Sequence, residues 1–181
     1  MRVSETAIDT GDGWFEKDEL DALRKRLPIV YVDAIPVRVD SDGVIQHVGM
    51  LLRTPRDGGI SRALVSGRVM YHERIRDALA RHLDKDLGPM ALPRLPVTLT
   101  PFTVAEYFPT PGITPYHDPR QHAVSLAYIV PVDGDCQPQQ DALDIAWFTP
   151  EEAVSPVIQE GMADGHGALV RTALTSTGRL V

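Results

Sequence analysis

Apolar positions along the chain repeat with two different periods. Between 73 and 87 (ERIRDALARHLDKDL), Ile75, Leu79, Leu83 and Leu87 recur every four residues. That spacing predicts a helix with one apolar face, which Gly88-Pro89 ends. A weaker helical pattern at 15–27 carries Phe15, Leu20, Leu23 and Leu27 and stops at Pro28. The runs 29–38 (IVYVDAIPVR) and 44–53 (VIQHVGMLLR) are rich in β-formers and flank Asp42-Gly43, a turn signal. They predict a β-hairpin. Further strands are expected at 62–66 (RALVS), within 97–107 around Pro101, and at 122–132 and 143–148. TPEEA at 149–153 reads as a capping box opening a short helix, and a last helix is expected near 164–174. Eight prolines between 89 and 119 fix φ angles and predict mostly loop. Strands before and after a central helix imply a mixed sheet with helices on its faces.

Composition adds bounds. The chain has 181 residues, 43% of them hydrophobic and 24% charged, as expected of one globular domain. Residues 1–13 are small and polar and read as a loose tail, leaving 14–181 as a single domain. A net charge of −7 argues against coating nucleic acid but not against a local basic pocket. The one cysteine, Cys136, excludes an intrachain disulfide and a Cys-based zinc cluster. No apolar run reaches the roughly 18 residues of a spanning helix, so no membrane partner is expected. The N-terminus lacks an apolar signal core, and the cytoplasm is the expected compartment.

The chemistry concentrates at 67–88 (GRVMYHERIRDALARHLDKDLG). Gly67 is followed after five residues by Glu73, after seven more by Arg81, and then by Gly88. This frame resembles the Nudix box. RALVS precedes it, and WFTPEE follows at 147–152, where that superfamily has a Trp-Phe and a helix start. Over 14–152 the chain is most similar to the GDP-mannose mannosyl hydrolase branch. The matching pieces include WFEKDELDALRKRLPIVYVDAI (14–35), RTPR (53–56), SGRV (66–69), HAVSLAY (122–128) and PQQDALDIAWFTP (138–150). The resemblance implies an α+β Nudix fold, an α/β/α sandwich around a mixed sheet. The box itself is degenerate: His82, Lys85 and Asp86 stand where a standard box has three glutamates.

The resemblance also implies roles. Asp86, Asp141 and the backbone at Ser66-Gly67 would hold one Mg²⁺ or Mn²⁺, for which such oxygen donors are suited. At about 100° per residue, Asp86 projects within the Leu79–Leu83–Leu87 stripe. Arg53 would stabilise the leaving diphosphate, Asp33 aligns with an active-site acid, and Arg56 and Arg68 would add positive charge. Glu73 and Arg81 would hold the loop–helix junction, with Glu73 in the first helical turn. Ala142 stands where the branch has its general-base histidine. Among the substitutes His122, His117, His72 and His82, the first is favoured because the family also carries a histidine there.

Two functions follow from the resemblance. One is a divalent-metal-dependent hydrolase acting on a nucleoside diphosphate linked to a sugar or similar group. The other is a Nudix-fold module that binds such a ligand without cleaving it. Homodimerisation through the N-terminal helix is implied as well.

Overall fold

In a computed structural model, the structure describes residues 15–54, 58–138, 142–163 and 165–179. The chain runs α1 (Lys17–Arg24), β1 (Ile29–Val39), β2 (Ile45–Arg53), β3 (Ser61–Ala63), β4 (Val65–Arg68) and α2 (Ile75–Leu87). It continues with β5 (Thr103–Tyr107), β6 (Ala123–Pro131), β7 (Ala142–Phe148), α3 (Pro150–Ala153), α4 (Pro156–Glu160) and α5 (His166–Ser176).

The strands form one mixed sheet in the order β3-β2-β1-β6-β5, with β4 also on β1 and β7 also on β2. Strands β1 and β6 are parallel; the other pairs are antiparallel. Strand β1 is central and apolar on both faces because both are covered. Val32 and Ala34 pack with Leu79, Leu83 and Leu87 of α2. Ile35 and Val37 pack with Leu169, Val170 and Leu174 of α5. The α/β/α layering therefore follows from two helices with one apolar stripe each.

The hairpin joining β1 to β2 turns at Gly43, whose φ of +80° suits glycine. Asp40 Oδ1 accepts from the backbone N–H groups of Asp42 and Val44 and closes the turn. One edge of β1 then forks. Its Tyr31–Ala34 half pairs with β4, whereas Val37, Arg38 and Val39 pair with β2. The sheet opens between these two partners.

Several boundaries differ from the sequence expectation. The stretch 62–66 is two strands broken at Leu64, because the Leu64 N–H donates to His166 Nδ1 (3.1 Å) and leaves the ladder. Strand β5 begins only at Thr103, beyond Pro101, which cannot donate to a ladder. Helix α2 begins at Ile75, so Glu73 is not in its first turn. Its carboxylate instead turns back to accept from the Met70 N–H (2.9 Å). Helix α4 has no counterpart in the sequence reading. The capping box at Thr149 and Glu152 is formed as the pattern predicts. Among the described residues, no helix is long and apolar enough to cross a membrane.

Candidate active site

A cleft of about 450 Å³ lies at the fork of the sheet. Asp33 of β1, Arg53 at the end of β2, Gly67 and Arg68 of β4, and Arg81, His82 and Lys85 of α2 all reach it. Arg24 of α1 and Arg120 from the loop before β6 complete its charged wall. Among the described residues, six cationic side chains and two carboxylates, Asp33 and Asp118, line the cleft of a chain whose net charge is −7. Such a concentration of one sign in a concave site draws anions.

The loop–helix junction is held by Arg81. Its Nε and Nη2 each donate at 2.7 Å to the two oxygens of Glu73, and Nη2 also reaches the Arg68 carbonyl (3.0 Å). The hydrogen bonds from Arg81 hold the Glu73 carboxyl below the usual glutamate range. The same Arg68 carbonyl lies 3.0 Å from His82 Nε2. A carbonyl can only accept, so Nε2 carries the proton and Nδ1 is the lone-pair nitrogen. Burial pushes the His82 pKa down and keeps the ring neutral. The ring fills the space beside Gly67, where a Cβ would overlap it. Glycine at 67 thus admits the histidine against β4. Gly88, at the other end of α2, has φ +83° and leaves no room for a Cβ against the Gln137 carbonyl.

Asp86 is buried on the cleft side of α2. Its Oδ2 lies 3.5 Å from Arg53 Nη2 and its Oδ1 3.4 Å from Lys85 Nζ. One carboxylate therefore carries two cations. Of the predicted ligands, Asp86 is thus already paired with two cations, and Asp141 lies outside the described residues. Among the described residues, no three His, Cys, Asp or Glu side chains gather as a metal site. An ion on Asp86 would also stand beside both cations. Repulsion from the two cations opposes a divalent ion there, against the attraction of Asp86 itself.

Asp33 is buried on the opposite face of β1. Its Oδ2 accepts from Tyr107 Oη (3.0 Å), and its Oδ1 has no partner among the described residues. Across the cleft, Arg24 Nε donates to Gln121 Oε1 (2.9 Å), and Gln121 Nε2 donates to Asp118 Oδ2 (2.8 Å). Burial alone would raise the Asp118 pKa, but hydrogen bonds from Arg120 and Gln121 outweigh it and lower it. The Arg68 guanidinium lies over the Phe15 ring, 5.2 Å from its centroid. Burial, with Arg24 and Arg81 nearby, pulls its pKa down. Crowded arginines of this kind favour a bound anion.

The structure therefore brings Asp33, Arg53, Gly67, Arg68 and Arg81 to one cleft, with Asp86 beneath Arg53 and Lys85. It does not bring His122 there. That ring stacks on Phe108 (4.5 Å between centroids, 19° between planes) and is not among the cleft-lining residues. His72 packs against Tyr71, and His117 reaches the Pro109 carbonyl. Of the four histidines weighed from the sequence, His82 alone lines the cleft. Ala142 pairs with Arg53 in the β2–β7 register. Arg56 and Asp141 lie outside the described residues, as does the 1–13 tail. Sequence reasoning missed Tyr107, His166, Arg24, Arg120 and Gln121. They come from segments with no shared spacing.

A forked mixed sheet between two helical layers, with the box helix α2 at the fork, is the Nudix fold. It is shared with a MutT/nudix family protein from Enterococcus faecalis (15% identity, TM-score 0.59, covering 92% of this chain and 76% of that one). It is shared too with the NUDIX domain of Shewanella oneidensis NrtR, solved with ADP ribose (17% identity, TM-score 0.59, covering 89% and 98%). Residues 10–179 match the family model described as a domain of unknown function, DUF4916, and the chain belongs to that family. It is 63% identical to a Jonesia denitrificans DSM 20603 protein described as a possible asymmetric diadenosine tetraphosphate (Ap4A) hydrolase, with a TM-score of 0.84 over 86% of this chain and 98% of that one. No curated protein matches the sequence.

Proposed function

We propose that the protein is a Nudix-type hydrolase of a nucleoside di- or polyphosphate, with the phosphates seated among Arg53, Lys85 and Arg68. The observation that carries this reading is that Arg53, Lys85 and Arg68 line one cleft, with Arg53 and Lys85 both paired with Asp86. Arg53 and Lys85 would neutralise charge that builds on the leaving phosphate. Asp33, with one oxygen unengaged by the described residues, is assigned to accept a proton or a ligand hydroxyl. The ascription of diadenosine tetraphosphate hydrolysis to the Jonesia denitrificans relative favours a dinucleoside polyphosphate over a nucleotide sugar. The mannosyl-hydrolase resemblance in the sequence keeps GDP-mannose in the test.

A binding-only module is the second reading, and one observation favours it. Lys85 sits on Asp86 where a standard box has a glutamate, so the chain of box carboxylates is broken. Turnover separates the two. Ap4A, ADP-ribose, GDP-mannose and ADP are incubated with and without Mg²⁺, and products are resolved by chromatography with Asp33→Asn in parallel. Phosphate-ester products from one compound, lost in the variant, support the hydrolase. Thermal stabilisation by a compound that stays intact moves the assignment to the binding module.

A further inference from the structure

We propose that Arg53 and Lys85, held together by Asp86, bind the phosphates of the ligand without a divalent ion. This rests on the reading that the cleft takes a phosphorylated nucleotide, and it changes what does the holding. Asp86 has a side chain only 3% exposed, whereas Arg53 and Lys85 are 31% and 32% exposed. The acid is thus the buried floor, and the two cations are its accessible tips.

Each cation has donors to spare. An ammonium offers three N–H groups and a guanidinium five, and Asp86 engages one group of each. Their sum with Asp86 is a net single positive charge facing the cleft. A divalent ion on Asp86 would have to displace both partners. Phosphate needs no displacement, because charge-assisted hydrogen bonds to Arg and Lys form on the cations as they stand. Asp86 is therefore a positioning residue, setting two side chains that arrive from different elements, β2 and α2.

The test is calorimetry with inorganic pyrophosphate and with ADP, in EDTA and in MgCl₂. Affinity in EDTA is expected to stay within about threefold of that in MgCl₂. Lys85→Ala should weaken binding in EDTA by about tenfold or more, and Lys85→Arg should recover most of it. Mn²⁺ titrated alone should show no stoichiometric site in the wild-type chain. Lys85→Glu, which removes the cation and adds a second acid beside Asp86, should gain affinity for Mn²⁺ and lose metal-free pyrophosphate binding. Binding that requires Mg²⁺, or a tight Mn²⁺ site in the wild type, overturns this inference and leaves the nucleotide reading intact. Binding in neither buffer overturns both.

Discussion

The imidazole of His82 occupies the volume that a side chain on Gly67 would need. Strand β4 and helix α2 are thereby matched residue for residue, and neither position is free to change alone. Gly67→Ala should overpack the interface and cost about 1–3 kcal/mol. In a His82→Ala background the added methyl has room, and the cost should fall by at least about 1 kcal/mol. Urea unfolding of the four chains in the cycle measures that coupling. Additive effects would mean that the ring is not what excludes the methyl.

Because His82 is buried and its pKa is pushed down, the folded chain holds it neutral where an unfolded histidine begins to charge. The unfolded form takes up protons first as pH falls below about 6.5. The stability tied to the neutral ring is thus complete above that pH and is lost as pH falls toward the folded pKa. One proton sets a slope of at most about 1.4 kcal/mol per pH unit. Urea midpoints of wild type should drop between pH 7.5 and 5.5, and His82→Gln should flatten that part of the curve. An unchanged slope in the variant would assign the titration to another group.

What patterning revealed and what it hid have physical reasons. The hairpin was readable because β1 and β2 are apolar runs around an Asp-Gly turn. Helix α2 was readable because its buried leucines are four apart. The break between β3 and β4 was hidden because it depends on His166, 102 residues away, taking the Leu64 N–H. Glu73 looked like the start of the helix, yet its partners are Met70 and Arg81. In the cleft, Asp33 was singled out by its match to an active-site acid of the family. Its hydrogen-bond partner, Tyr107, is 74 residues distant and shares no motif with it. His122 was favoured by alignment, but stacking on Phe108 takes its ring elsewhere.

The Tyr107–Asp33 hydrogen bond gives a second stability test. Tyr107→Phe keeps the ring in the core and removes the donor to a carboxylate that is 1% exposed. Leaving Asp33 less satisfied should cost about 1–3 kcal/mol. In an Asp33→Asn background the same change should cost less, since an amide needs the donor less than a carboxylate does. Thermal or urea unfolding of the double-mutant cycle checks this. Equal costs in both backgrounds would show that the hydroxyl matters for other contacts.

The Glu73–Arg81 pair has a pH signature of the same sign as that of His82, at lower pH. Its two hydrogen bonds, both 2.7 Å, favour the ionised acid and depress the Glu73 pKa. A depressed carboxylate stabilises the fold above its unfolded pKa, near 4.3, and loses that contribution as pH falls through the folded value. Glu73→Gln cannot pair ionically with Arg81, and near pH 7 it should be less stable than wild type by about 1–2 kcal/mol. As the acid protonates below about pH 4, wild type gives up the same advantage, so the two stability curves should converge. Arg81→Lys should behave differently. It keeps the charge but not the fork that spans both Glu73 oxygens and the Arg68 carbonyl, so its deficit should remain at every pH where the chain is folded. Urea midpoints at pH 7, 5 and 3.5 for the three chains distinguish charge from geometry. Convergence of Glu73→Gln with wild type, and none for Arg81→Lys, is the expected result. A constant gap for Glu73→Gln would mean that the carboxylate holds the junction by shape and not by charge.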